Sequence, residues 1–167
     1  NEVKVLLEIN EGSRYRIGDI KIEGLKFISE EKFLEIIRQK QDEIADGKWL
    51  KEFLYTDLAS YYKNRGYLLY DSELEPEFIA PTNKDLEGTV NLKIKIDEGK
   101  QFTIDNIKIL SSQKDVSKIF MLLGVKKGEV FNQEALENGI KRINETNEFA
   151  FVDKDKDVDI LNDNESN

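Results

Sequence analysis

The sequence predicts an α+β protein built from tandem β-α-α-β-β modules, each a three-stranded sheet covered on one face by two helices. Three observations carry that prediction. First, the series Val3, Val5, Leu7, Ile9, Glu11, Gly12, Tyr15, Ile17, Ile20, Ile22 returns 87 positions later as Val90, Leu92, Ile94, Ile96, Glu98, Gly99, Phe102, Ile104, Ile107, Ile109. A fixed internal period marks an array of like units, and one of this length is a small domain. Second, these runs alternate apolar and polar residues, the period of a strand with one buried face. Third, the stretches between them carry apolar residues three and four apart, the period of helices able to cover that face.

Residues 3–9 read as a strand, turned by Glu11 and Gly12. A second strand runs over 15–23 and stops at Gly24. Ser29 is placed to cap a helix bearing Phe33, Leu34, Ile36 and Ile37. Acidic residues and Gly47 interrupt it. A longer helix then carries Trp49, Leu50, Phe53, Leu54, Leu58 and Tyr61, with Trp49 and Tyr61 at core spacing, and Gly66 supplies its left-handed C-terminal turn. Alternation resumes over 68–78, with Leu68, Tyr70, Ser72, Leu74 and Phe78 on one face and Asp71, Glu73, Glu75 and Glu77 on the other. After a loop with Pro81, Asn83 and Gly88, residues 90–97 form the last strand of the unit, expected to be central.

Proline has no N–H for a ladder, so Pro76 marks the 69–78 strand as an edge. The acidic row beside it is the kind of charge that keeps an edge from aggregating.

The second unit begins at Gly99. A strand is expected over 101–110, then a helix with Val116, Ile119, Phe120, Leu122 and Leu123 ending at Gly124. Asn132 caps a second helix with Leu136, Ile140 and Ile143, and Asn147 is expected to take the left-handed turn that Gly66 takes in the first unit. A strand follows over 149–160. The domain reading is residues 1–11 as the last strand of a preceding module, 12–98 as a complete module, and 99–167 as a second module lacking its last strand, so the chain reads as a piece of a longer protein. With that strand absent, loose structure after Phe149 is expected, or completion of the second unit by residues 3–9 of another copy.

The apolar phase flips inside both opening strands: Tyr15 and Ile17 are odd, Ile20 and Ile22 even. Either a bulge at Gly18-Asp19 and Asp105-Asn106 corrects the phase, or Tyr15 and Phe102 face a neighbouring module. The second reading is favoured, because both aromatics come after a Glu-Gly turn by the same spacing.

Composition narrows the chemistry. Of 167 residues, 34 are acidic and 25 basic, for a net charge of −9. Nucleic-acid binders need a basic face, so nucleic acid is not an expected partner. With no cysteine and no histidine, disulfides, cysteine-ligated zinc, an activated thiol and the usual general base are all excluded. No phosphate-binding glycine loop is present. Asp153, Asp155 and Asp157 have calcium-loop spacing, but Val158 stands where the loop needs glycine. No metal, no cofactor and no catalysis are expected. The Asn-x-Ser/Thr triplets at Asn144 and Asn164 are read as chance. No apolar run is long enough to span a membrane as a helix, and no signal peptide is visible.

Taken jointly, the element order, the Glu-Gly turns and four local motifs resemble the POTRA modules that precede outer-membrane β-barrels, with the fit best to the third and fourth modules of a barrel-assembly protein. The motifs are Gly12-x-x-Tyr15-x-Ile17-x-x-Ile20-x-Ile22-x-Gly24, Tyr61-Tyr62-Lys63-Asn64-Arg65-Gly66-Tyr67, Leu122 through Asn132, and Phe149-Ala150-Phe151-Val152, which resembles the start of the family's second strand. Glu148, and Ser111 with Ser112, depart from that pattern where glycine stands in the first unit. The resemblance implies a periplasmic portion of an outer-membrane protein, with a barrel downstream embedding the full-length protein in the membrane. It implies a scaffold that binds unfolded outer-membrane polypeptides and docks accessory assembly proteins. Binding would proceed by β-augmentation, an extended client pairing with an open strand edge. The candidate edge residues are Leu69, Tyr70, Asp71, Ser72, Glu73, Leu74 and Glu75; the candidate inter-module junction is Glu11, Gly12, Tyr15, Glu98, Gly99 and Phe102. POTRA modules of a two-partner secretion or organellar import barrel, and a structural cell-surface tandem domain, are the alternatives.

Overall fold

The computed structural model describes residues 3–9, 13–38, 45–83, 87–111 and 116–162. The chain divides into two units, Asn1–Thr56 with Asp71–Glu98, and Asp57–Tyr70 with Gly99–Asn167. The first contains strands β1 (Tyr15–Glu23), β2 (Asp71–Ile79) and β3 (Gly88–Asp97), with helices α1 (Glu30–Arg38) and α2 (Gly47–Glu52). The sheet order is β1-β3-β2, with β3 parallel to β1 and antiparallel to β2. β3 is therefore central and β2 an edge, as the alternation of 90–97 and the position of Pro76 predicted.

One face of β3 is buried at every second residue: Gly88, Val90, Leu92, Ile94 and Ile96. These join Ile17 of β1, Phe33 and Ile37 of α1, Leu50 of α2, and Phe53 and Leu54 as buried residues of the first unit. Burying an aliphatic side chain of this size contributes about 1.5–3 kcal/mol. Asp46 caps α2 through the Lys48 and Trp49 N–H groups.

The flip in apolar phase is resolved by a bulge. Between Ile17 and Ile20, β1 advances three residues while β3 advances from Val90 to Leu92. Tyr15, Ile17, Ile20 and Ile22 thereby share one face. This corrects the expectation that Tyr15 faces a neighbouring module. Its ring instead lies across Gly88 and meets Phe78 edge-on at 5.0 Å. A Cβ on Gly88 would sit 2.6 Å from that ring, so glycine is what lets the ring cross the central strand.

After α2 the chain continues through a π-helical turn (Phe53–Asp57) into α3 (Leu58–Lys63). The wider turn keeps residues four apart aligned, so Leu50, Leu54, Leu58 and Tyr62 are the buried series. Tyr62, not Tyr61, is fully buried. Trp49 is half-buried, stacked on Phe53 at 5.5 Å, and Tyr61 is half-buried with the Arg65 guanidinium over its ring; both were expected in the core. Gly66 takes φ +87°. With it, Gly66 N–H donates to Lys63 O and Tyr67 N–H to Tyr62 O, the paired bonds of a Schellman C-terminus.

In the second unit α4 (Ser117–Leu123) ends at Gly124, and α5 (Gln133–Glu145) starts from Asn132, whose side chain accepts from Ala135 N–H at 2.8 Å. Arg142 on α5 donates to Leu122 O and Leu123 O, tying the end of α4 to α5. Leu123, Val125, Ile140 and Ile143 form the buried cluster. Asn147 takes the left-handed conformation expected of it, at φ 54°. The strands expected over 101–110 and 149–160 are not formed: among the described residues this unit has one isolated bridge, Thr103 to Val130. The physical reason is visible in the first unit, where among the described residues β1 and β2 both pair with the central β3. A strand without such a partner does not persist. Residues 3–9, expected as a strand, join no ladder and are exposed.

Candidate functional site

The backbone directions along the β2 edge are set by its register with β3. Gly88 N–H donates to Arg14 O at 2.8 Å, on the β1 side of β3. Backbone groups alternate along a strand, so the even residues of β3 turn toward β1 and the odd residues toward β2. In the observed register, odd β3 residues oppose Asp71, Glu73, Glu75, Glu77 and Ile79. Those five use their backbone groups in the ladder. Ser72, Leu74, Pro76 and Phe78 turn theirs outward. Of these four positions, Pro76 has no N–H, and Ser72 N–H donates to the Asp71 carboxylate at 2.8 Å. Among the described residues, the edge thus offers four carbonyl acceptors but two uncommitted donors, at Leu74 and Phe78.

The strand begins two residues later than the sequence suggested. Leu69 and Tyr70 precede it in a turn, with Tyr70 buried and stacked on Tyr62 at 4.6 Å. Asp71, Glu73 and Glu75 contribute side chains to the outer face rather than open backbone, and Ser72 and Leu74 are the candidates that face the edge. Pro76 and Phe78 also turn their backbone outward along this edge and were not among the candidate edge residues. The signal was present, since strand parity with Gly88 decides it, but parity needs the register.

On the outer face, Lys95 bonds Glu73 at 3.1 Å and Glu75 at 2.5 Å, and Lys93 lies 3.4 Å from Glu75. The hydrogen bond from Lys95 holds the Glu75 carboxyl below the ordinary carboxylate range, and the same bond raises Lys95. Among the described residues Glu77 receives only the Asn91 amide, at 3.3 Å. Asn91 also accepts Asp19 N–H at 3.0 Å, satisfying the bulge. The opposite edge, β1, is interrupted by that bulge, and Tyr15 O is occupied by Ala45 N–H. A long added strand therefore fits β2 better.

The junction candidates separate. Glu11 and Gly12 lie outside the described residues. Tyr15 belongs to the first unit's own sheet. Glu98 is buried and accepts the Lys26 and Phe27 N–H groups, clasping the β1–α1 loop. Gly99 is left-handed at φ +68°, against Leu69. Phe102 N–H donates to Gly66 O at 2.8 Å, and Phe102 O accepts Phe131 N–H at 3.0 Å. A Cβ on Gly66 would come within 2.8 Å of Phe102 O. Asn64 exchanges two hydrogen bonds with Glu134, and Gln101 donates to Arg65 O. The sequence marked Gly66 as a helix C-terminus and Asn64 and Arg65 as part of a motif, but not these contacts, because the partners lie 36 or 70 residues away.

The Asp153–Asp157 stretch closes on itself. Asp153 N–H donates to the Asp157 carboxylate and Asp155 N–H to that of Asp153, while Lys156 pairs with Asp153. Among the described residues no three such side chains converge where a metal ion could sit. No described helix is long and apolar enough to cross a membrane.

Comparison with known proteins gives a consistent picture. The POTRA family model (surface antigen variable number repeat) matches residues 15–99. The outer membrane protein assembly factor BamA of Buchnera aphidicola (subsp. Acyrthosiphon pisum, strain APS) is 24% identical over 170 residues, covering 95% of this chain and 27% of that protein. The BamA of Nitratidesulfovibrio vulgaris (Hildenborough) is 22% identical over 154 residues, covering 89% of this chain and 19% of that one. The chain thus spans about a quarter or less of the length of these relatives. The crystal structure of Haemophilus influenzae BamA POTRA3-5 superposes with a TM-score of 0.62 at 17% identity, over 84% of this chain and 53% of that one.

Proposed function

Because the chain belongs to the POTRA family, we propose that it is a periplasmic scaffold of an outer-membrane protein assembly machine, one that binds unfolded outer-membrane polypeptides by β-augmentation and docks accessory assembly proteins. The observation that carries the binding half is the β2 edge, where Ser72, Leu74, Pro76 and Phe78 turn their backbone groups away from the sheet. Main-chain pairing is indifferent to most side-chain identity, which suits a protein that serves many clients. Only two of four outward positions can donate. Each net backbone hydrogen bond contributes about 1 kcal/mol, so the missing donors keep pairing weak and release easy. Among the described residues, the outer-face acids of β2 are exposed, and two of them, Glu73 and Glu75, pair with lysine.

The test uses Phe78, which is 61% exposed on an edge strand that already tolerates a proline. Phe78→Pro removes an outward donor, whereas Phe78→Ala removes the same ring and keeps the N–H. Pairing at this edge requires the proline variant to bind an extended outer-membrane-strand peptide more weakly than the alanine variant, in a protein whose circular dichroism is unchanged. Equal binding by the two folded variants would remove β2 as the site.

A further inference from the structure

An added strand must place its side chains in register with those of β2, alternately on the two faces. On the outer face the neighbouring row is Asp71, Glu73, Glu75 and Glu77. Two lysines approach this row from the β3 side: Lys95 pairs with Glu73 and Glu75, and Lys93 with Glu75. Among the described residues Glu77 has no cation partner. Asp71 faces another acid, Asp97, directly across the ladder. The row is therefore acidic beyond what the sheet itself compensates, and the uncompensated side is the one an incoming strand would line. On the inner face the neighbours are Leu74, half-buried, then Pro76 and Phe78, both exposed. That face is apolar and only partly covered.

We infer that the β2 edge selects extended segments in which apolar residues alternate with lysine or arginine, the apolar ones lying beside Leu74, Pro76 and Phe78 and the cations beside Glu75 and Glu77. Opposite charges on neighbouring strands attract and like charges repel, while apolar cross-strand pairs add packing. The inference rests on the pairing proposed above and adds a side-chain code to it. Alternation itself is the discriminating feature: a cationic segment without it cannot put its apolar residues on the helix side and its charges on the acidic side at once.

The experiment compares four terminally blocked nine-residue peptides binding to the 167-residue chain. They are alternating Val/Lys, alternating Val/Glu, alternating Val/Ser, and a block peptide with the composition of the first. The alternating Val/Lys peptide should bind about tenfold more tightly than Val/Glu at low ionic strength, and the gap should close near 1 M salt. It should also bind better than the block peptide and shift the amide resonances of Leu74 and Phe78. Glu77→Lys, an exposed change, should shrink or invert the Lys-over-Glu preference, and Glu75→Gln should shrink it independently. Equal binding of the alternating peptides would overturn the side-chain code and leave main-chain pairing standing. Equal binding of the block and alternating Lys peptides would reduce the effect to bulk charge and overturn it too. Failure of all four to perturb β2 would overturn both the code and the pairing beneath it.

Discussion

Glu98→Ala should unfold the first unit at markedly lower denaturant. Glu98 is 4% exposed, and its carboxylate receives the Lys26 and Phe27 N–H groups, both at 2.9 Å on Oε1, with a further Phe27 contact at 3.1 Å on Oε2. These donors lie in the loop that returns the chain from β1 to α1, so the side chain closes a span of more than seventy residues. A hydrogen bond to a charged acceptor contributes about 1.5–3 kcal/mol. Two donors lose their acceptor, and water reaches part of this loop, so the expected loss is about 3 kcal/mol, nearer the lower end per bond. At a urea slope of about 1.5 kcal/mol/M, the midpoint falls by about 2 M. The assay is tryptophan fluorescence: Trp49 is the chain's only tryptophan and stacks on Phe53 within the first unit. Glu98→Gln keeps one oxygen and should lose about half as much. A Glu98→Ala midpoint within about 0.5 M of the parent, corresponding to under 1 kcal/mol, would refute the clasp and leave the β1–α1 loop held by its packing alone.

Three other outcomes are expected from the same geometry. Pro76→Val restores an outward N–H at the β2 edge and should tighten binding of an extended peptide about fivefold, the equivalent of about 1 kcal/mol, measured by fluorescence anisotropy; unchanged affinity would mean that clients do not pair at this position. Gly66→Ala places a Cβ at φ +87° and within 2.8 Å of Phe102 O, and should cost about 1–2 kcal/mol; faster hydrogen exchange at the Phe102 amide, which donates to Gly66 O, is the specific readout. Glu75 has a lowered folded pKa, chiefly from the Lys95 hydrogen bond. Its contribution is therefore present above the ordinary carboxyl value of 4.5 and is lost as pH falls through the lower folded value. In Lys95→Ala a side-chain carboxyl titration by NMR should show Glu75 moving up toward 4.5, and an unmoved midpoint would deny Lys95 that role.

Much of the first unit was legible in the amino-acid order. Alternation marked β3 as the strand with a clean buried face, and a proline inside 69–78 marked β2 as an edge, because both are consequences of local backbone chemistry. Caps were legible for the same reason: Asn132, Gly66, Gly124 and Asn147 act within a turn of themselves. Tertiary structure decided what depends on a partner strand. Whether Tyr15 belonged to its own sheet or to a neighbour turned on a bulge, and a bulge exists only in the count of residues against the strand opposite. The outward set of Ser72, Leu74, Pro76 and Phe78 required the register with Gly88, and the acids that composition made conspicuous present side chains rather than open backbone. The stretches 101–110 and 149–160 carry strand-like sequence and form no ladder, since a strand's hydrogen bonds lie outside its own sequence. A helix satisfies its backbone from within. A strand cannot, so its alternation specifies which face is apolar while its existence and its open edge are settled by what lies alongside.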